Sequence, residues 1–168
     1  MPGTLRRRVG RRALPVLAAA LLGVAVTAAP AAAGPWVDRI TGSLRGDPLY
    51  VDPAARPTLT PAAAAQVRAR IAATGTPVFV AVLPREALAE AGGSAGRLAA
   101  MVAGSLDRPG TYLVVAGGQP GAGSDTLAQG EAAGLASAAF RSHPGDLRGA
   151  VLDVVGRVDR AAGVPATT

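Results

Sequence analysis

The chain has 168 residues, of which 49% are hydrophobic and 3% aromatic, with 22 Gly, 14 Pro, no Cys and a formal charge of +6. This composition excludes disordered, collagenous and disulfide-scaffold proteins. The length fits one modest globular domain.

The amino-terminal segment has the pattern of an export signal. A cluster of Arg within residues 6–12 precedes the uncharged run 13–29, and residues 31–33, all Ala, stand where a signal peptidase cleaves. The run has 17 residues, of which Ala is the commonest type, and falls short of the roughly 20 strongly apolar residues of a stable membrane span. We therefore predict an exported protein cleaved close to Ala33. The alternative is that residues 13–29 stay as a membrane anchor, and the Arg pair at 11–12 leaves the Sec and twin-arginine routes both open.

The basic charge belongs to the predicted signal and not to the domain that follows it. Five of the 17 basic residues, all Arg, lie in the signal, so residues 34–168 carry 12 Arg against 11 acidic residues, a formal charge of +1. A nucleic-acid partner is therefore not expected, since binding to phosphates requires a basic face. Without Cys, an exported domain must be stabilised by its core.

The first part of the domain predicts a strand, a helix and a second strand. Residues 49–51 lie between prolines and predict a short strand near a sheet edge. Thr60 is a helix N-cap and Pro61 suits a first helical position, so a helix over 61–73 follows. The continuous apolar run 78–83 predicts a central strand that helices cover on both faces.

The middle of the chain predicts a third strand and two helical segments. Residues 85–91 predict a helical turn or short helix, and an apolar stripe at helical spacing predicts a helix over 94–106. Residues 111–116 are another continuous apolar run and predict the third strand. Residues 117–124 are rich in Gly and Pro and predict a flexible loop at the carboxyl end of that strand, the edge where open α/β sheets bind ligands.

Two further helices are predicted over 129–140 and 146–161, the second capped by Asp146. The order of elements predicts an α/β fold, a small three-layer sandwich with a central, mostly parallel sheet of three to four strands flanked by helices. The predicted organisation of the mature chain is a linker or short helix over 34–48, a single domain over 49–161 and a disordered tail over 162–168.

Ser94 and His143 are the candidates for nucleophilic catalysis. Residues 92–96 match the G-x-S-x-G nucleophile elbow of α/β-hydrolases around Ser94. The elbow should follow its strand directly, whereas about nine residues intervene here, and the single His would have to complete a triad with Asp107 or Asp125. The structural alternatives, Ser94 as a helix N-cap and His143 as a solvated loop residue, are favoured.

The segment from Tyr50 to Leu83 resembles a known family. Tyr50-Val51-Asp52-Pro53, the helix opened by Leu59-Thr60 and the apolar strand that ends at Pro84 resemble the first strand, helix and second strand of TPM domains. Such modules occur in actinobacterial secreted or membrane-anchored proteins of unknown function. The later predicted elements extend the likeness over most of the domain. The resemblance implies an α/β fold in the cell envelope.

The resemblance also implies an activity and a site. Acid phosphatase activity is attributed to some TPM domains and Ca²⁺ binding to others. The glycine and acidic segment that follows the third strand of the family is matched here by Gly121, Gly123 and Asp125, with Glu131 farther along. These four are the candidate binding residues. They do not compose a metal-ligand set, so no metal and no other cofactor is predicted.

Two functions are compatible with these patterns. The first is a non-catalytic envelope domain, a binding or accessory module whose partner is an unidentified envelope or membrane protein. The second is a weak phosphatase of TPM type or a Ser-dependent esterase that uses Asp125, Glu131, Ser94 or His143. The first is favoured, because few polar side chains of the sequence converge on one place.

Overall fold

A computed structural model describes residues 34–163; the predicted export signal over 1–33 and residues 164–168 lie outside the described residues. The helices are α1 (Pro35–Leu44), α2 (Pro61–Ala72), α3 (Ala95–Leu106), α4 (Glu131–Ser142) and α5 (Leu147–Ala162). The strands are β1 (Leu49–Val51), β2 (Val78–Leu83), β3 (Thr111–Ala116) and β4 (Gln119–Ser124). A 3₁₀ helix spans Arg85–Ala91.

The four strands form one sheet in the order β1-β2-β3-β4. β1, β2 and β3 are parallel, and β4 runs antiparallel to β3. Val80 of β2 stands opposite Leu113 of β3 at the centre of the sheet. The predicted α/β sandwich with a mostly parallel sheet of three to four strands is therefore confirmed.

β2 and β3 are buried on both faces, as their continuous apolar sequences predict. Alternate side chains point to opposite layers because successive residues of a strand face opposite sides. The layer of α2, α4 and α5 covers Val78, Val80, Val82, Leu113 and Val115. The layer of α1, the 3₁₀ helix and α3 covers Phe79, Ala81, Leu83, Tyr112, Val114 and Ala116. Each strand thus joins two apolar cores, and removal of this surface from water is the main stabilising term.

Three helices begin at side-chain caps. The Oγ1 atom of Thr60 accepts from the Ala63 amide at 3.2 Å. The Oγ atom of Ser94 accepts from the Arg97 amide at 3.2 Å. Asp146 accepts from the amide of Gly149 at 2.9 Å. These bonds satisfy amides that a helix start leaves free, so the predicted caps of α2, α3 and α5 are confirmed.

The prediction of a flexible loop over 117–124 is wrong. Gly117 and Gly118 have φ of 56° and 80° and form a two-residue turn of a kind that favours Gly at both positions. β4 then pairs with β3 over its full length. The composition misled because Gly and Pro are depleted in strands. Pro120 is tolerated because β4 is an edge strand, where a missing amide costs no ladder bond.

Of the two alternatives for residues 34–48, a linker or a short helix, the structure shows the short helix α1, followed by a turn. Val37, Ile40 and Leu44 are buried in the same core as α3. Among the helices of residues 34–163, none is long and apolar enough to cross a membrane. α1 is thus an integral part of the described fold.

α4 packs through alanines and not mainly through its large side chains. Ala132, Ala136 and Ala139 are buried, whereas Leu135 and Phe140 are half-buried. The small side chains allow α4 to lie close to β4. Phe140 is consequently left at the margin of the core, where it faces a cleft.

Candidate functional site

A cleft of about 510 Å³ opens at the carboxyl edge of the parallel strands. It lies between the loop that follows β1, the β3–β4 turn, the end of α4 and the start of α5. The lining residues are Pro57, Gly118, Pro120, Ser137, Phe140, Arg141, His143, Gly145, Asp146 and Leu147. We call it the His143 cleft.

The exposed surface that lines the His143 cleft is mostly apolar. Pro57, Pro120, Phe140 and Leu147 come from four different segments of the chain. A neighbouring cleft of about 390 Å³ shares Pro57 and residues 145–147 and continues toward the start of α2. Together they make a groove whose first part is mostly apolar, as is usual in a binding site, and whose second part is about equally polar and apolar.

His143 is attached to a carboxylate that sequence reasoning did not connect with it. Its Nε2 atom lies 3.5 Å from Oδ2 of Asp153. Asp153 also accepts from Nε of Arg157 at 2.9 Å, and this half-buried pair within α5 is joined by the histidine. No local spacing signals this contact, because it forms only when α5 folds back beside the loop after α4.

The hydrogen bond from Arg157 lowers the pKa of Asp153. This bond is the main reason that the pKa of Asp153 lies below the ordinary value, with a smaller contribution from the positive charge of the guanidinium, while partial burial acts in the opposite direction. The Asp153–Arg157 ion pair within α5 therefore keeps a carboxylate oxygen beside Nε2 of His143.

Both nitrogens of His143 face α5. Nε2 is directed to Asp153, and Nδ1 lies 2.9 Å from the position that a Cβ on Gly149 would occupy. The imidazole thus packs on the first turns of that helix and presents its ring to the cleft. This orientation is unlike that of a general base, which needs one nitrogen directed at a nucleophile.

Ser94 and His143 are not brought together. Ser94 begins α3, which covers one face of the sheet, whereas His143 follows α4 on the other face. The Ser94 hydroxyl is occupied by the Arg97 amide. The structure therefore gives the G-x-S-x-G match a capping role.

Asp125 and Gly123 lie at the opposite edge of the sheet. They line a separate cleft of about 500 Å³ together with Arg108, Tyr112 and Ser124. Oδ1 of Asp125 accepts from the Gly110 amide at 2.7 Å, which ties the end of β4 to the start of β3. This carboxylate thus has a backbone amide as its hydrogen-bond partner.

Glu131 is bound to the turn that precedes α4. Its Oε2 atom accepts from the Ala128 amide at 3.2 Å. Asp125 and Glu131 each have a backbone partner of their own. Within residues 34–163, no group of three or more His, Cys, Asp or Glu is placed to hold a metal ion.

Gly121 lies in the interior and outside the clefts. A Cβ on this residue would overlap the backbone of Ala95 and Gly96 at the start of α3. Its glycine identity follows from a close approach of two backbones. Of the four candidate binding residues, Gly123 and Asp125 share a cleft, while Gly121 and Glu131 have structural contacts elsewhere.

Searches with the whole chain against family models, curated proteins and solved structures gave no match. The resemblance to TPM domains stays a prediction that rests on the sequence pattern. A fold of this class does not by itself fix a function.

Proposed function

We propose that the chain is an exported cell-envelope protein whose domain is a non-catalytic binding module, with the His143 cleft as its binding surface. The observation that carries the binding part is the position of a mostly apolar cleft at the carboxyl edge of parallel strands. Open α/β sheets bind ligands at this edge, because the loops that follow the strands are free to vary there. The export part rests on the Arg cluster, apolar run and Ala residues of the first 33 positions.

The chemistry of the cleft fits a segment of a partner protein with at least one apolar side chain. Phe140 and Leu147 supply apolar contact, and the prolines at 57 and 120 supply rigid walls. Arg141 and Asp146 stand among the lining residues and offer charges of opposite sign to a peptide backbone or its polar side chains. A cavity of about 510 Å³ is within the range of ligand pockets and accepts a few residues of a peptide.

The contacts of the candidate catalytic residues support binding over hydrolysis. His143 directs its nitrogens to α5, and the Ser94 hydroxyl accepts from an amide on the other face of the sheet. Phosphatase chemistry needs cations or amides aimed at the developing charge of the phosphoryl oxygens. The carboxylates of Asp125 and Glu131 accept from amides instead.

Site-specific photo-cross-linking in the native host tests the binding surface. A photoreactive amino acid replaces Phe140 in the cleft, and the matched control places it at Arg97, which is exposed on the other layer. We expect a defined adduct with one envelope protein at position 140, and binding of that purified protein should weaken in the Leu147→Arg variant. Equal adducts at both positions would contradict the assignment.

Two further measurements address export and hydrolysis. Cell fractionation followed by intact-mass analysis is expected to find the protein outside the cytoplasm with an amino terminus near Gly34. Full-length protein in the cytosol would contradict export. Turnover of an aryl phosphate or a short acyl ester that disappears in His143→Ala would contradict the non-catalytic part and leave export unaffected.

A further inference from the structure

Glu90, at the end of the 3₁₀ helix, has one carboxylate oxygen without a partner. Its Oε2 atom accepts from the amide of Trp36 at 2.9 Å, in the first turn of α1. Its Oε1 atom is buried and has no hydrogen-bond partner among residues 34–163. A buried carboxylate oxygen left without a donor is unfavourable, and few such atoms occur in native proteins. The position of Oε1 therefore calls for a donor or a cation.

Gly34 lies directly against this oxygen. A Cβ on Gly34 would overlap Oε1 of Glu90. The φ of Gly34 is −78°, which any residue adopts, so glycine is required here by space and not by backbone conformation. Because a backbone nitrogen lies about 2.5 Å from the Cβ position of its own residue, the Gly34 nitrogen is within about 4 Å of Oε1, the range of an ion pair.

Gly34 is also the residue that follows the predicted cleavage site. Signal peptidase adds water across the Ala33–Gly34 peptide bond; Ala33 keeps the new carboxylate, and the nitrogen of Gly34 becomes an amine that takes up a proton at neutral pH. We infer that the Glu90 carboxylate is the receptor for this α-ammonium group, so that processing completes the fold. The inference rests on the proposed export.

Other charges do not compete for this position. The remaining charged residues of α1, the 3₁₀ helix and the adjoining α3 are exposed: Asp38, Arg39, Arg45, Arg85, Glu86, Arg97 and Asp107. An uncleaved chain has a neutral peptide group at Gly34, which supplies no cation to Oε1. The mature chain gains the ion pair, so the domain is more stable after cleavage than before it.

The sequence makes the α-amino group easy to follow. All 17 basic residues are Arg and none is Lys, so the amino terminus is the single primary amine of the chain. A protease site inserted into the full chain directly before Gly34 yields this terminus in solution without export. The rate of acylation by an amine-reactive ester, followed against pH by mass spectrometry, then reports the pKa and accessibility of this one group.

The native protein that begins at Gly34 should have an α-amino pKa about one unit or more above the ordinary 7.7–8.0, which slows acylation at pH 8 by about fivefold or more relative to the chain in denaturant. Glu90→Gln should return both quantities to the ordinary range. Glu86→Gln, an exposed glutamate of the same 3₁₀ helix, is the matched control and should leave them unchanged. A chain that begins one residue earlier, at Ala33, should also react at the ordinary rate.

The comparison of native and denatured wild type needs no variant, so it decides the matter even where Glu90→Gln does not fold. An α-amino pKa in the ordinary range, with equal acylation rates in the native wild type and in the chain that begins at Ala33, would show that Glu90 does not bind the α-ammonium group. The proposed export is tested separately. A native host that leaves the chain uncleaved, or cleaves it elsewhere, contradicts the proposed processing. The terminus made by the inserted protease site still reports on Glu90 in that case.

Discussion

Gly121 of β4 lies in direct backbone contact with Ala95, the first residue of α3. A side chain on Gly121 would occupy the space of the Ala95 carbonyl group. The contact sets the distance between the edge strand and the helix that covers it. It explains how a segment with the composition of a loop becomes a strand: its small residues let two backbones meet.

Gly121→Ala is therefore expected to lower the free energy of unfolding by about 1 to 3 kcal/mol, the usual cost of overpacking. Gly123→Ala is the matched control, two residues along the same strand, where nothing lies within 4 Å of the Cβ position. Its effect should stay within about 0.5 kcal/mol. Chemical denaturation measures both, and equal losses in the two variants would contradict the close approach.

Phe79→Ala is expected to cost about 3 to 5 kcal/mol of unfolding free energy. Phe79 is 4% exposed, and its ring stacks on that of Tyr112 with centroids 5.0 Å apart. The chain has one other Phe, the half-buried Phe140, and Phe140→Ala should cost clearly less. A change below about 1 kcal/mol in Phe79→Ala would be incompatible with a packed aromatic pair.

The central part of this fold follows from the sequence because the signals there are local and strong. The apolar runs of β2 and β3 are bounded by Pro and Gly, and Thr60, Ser94 and Asp146 are helix caps of the preferred residue types. β4 does not follow, since its strand conformation is imposed by pairing with β3. Tertiary contacts override local preference there.

The candidate site is less predictable, because its contacts join distant segments. The prediction that a ligand binds at the carboxyl edge uses topology alone, and it concerns residues 117–124 and not His143. Asp153, which contacts His143, lies on α5. Pro57 lies in the loop after β1 and Pro120 lies on β4, and both line the same cleft. Asp125 and Glu131 are close in sequence, yet each accepts from a different backbone amide.

Asp153→Asn should make the free energy of unfolding less dependent on pH in the acid range. The hydrogen bond from Arg157 lowers the pKa of Asp153 in the folded protein below the ordinary 3.8. The contribution of this carboxylate is thus present above that value and is lost as the pH falls through the lower pKa of the folded state. Unfolding free energies measured through this acid range should fall less steeply in Asp153→Asn and in Arg157→Gln than in the wild type. Parallel profiles would contradict the ion pair.

The two tyrosines of the chain should ionise at a higher pH than an exposed tyrosine. Burial is the main cause that raises the pKa of Tyr50 to about 12, and its 2.8 Å hydrogen bond to Asp52 adds to this effect. Burial also raises the pKa of Tyr112 above 10.0. These groups stabilise the fold below pH 10, and the contribution is lost as the pH rises through their folded-state values.

Ultraviolet absorbance of tyrosinate checks this expectation in the native protein. At pH 10 the native chain should show much less tyrosinate than the chain in denaturant. Asp52→Asn should move the midpoint of Tyr50 back toward 10. Half-ionisation of a native tyrosine at its ordinary pKa would show that one of the two rings is solvated.

Ser94→Ala should lower the unfolding free energy by about 0.5 to 2 kcal/mol, because it removes the hydroxyl that accepts from the Arg97 amide. Ser105→Ala, inside the same helix, is the control and should cause no loss, since Ala is the better helix former.

The same pair of variants decides whether Ser94 is a nucleophile. A fluorophosphonate probe should leave the wild type unlabelled, because a hydroxyl engaged as a cap, on the opposite face of the sheet from His143, has no base to activate it. Stoichiometric labelling that disappears in Ser94→Ala and persists in Ser105→Ala would overturn the capping role, and His143→Ala would then be the next variant to assay.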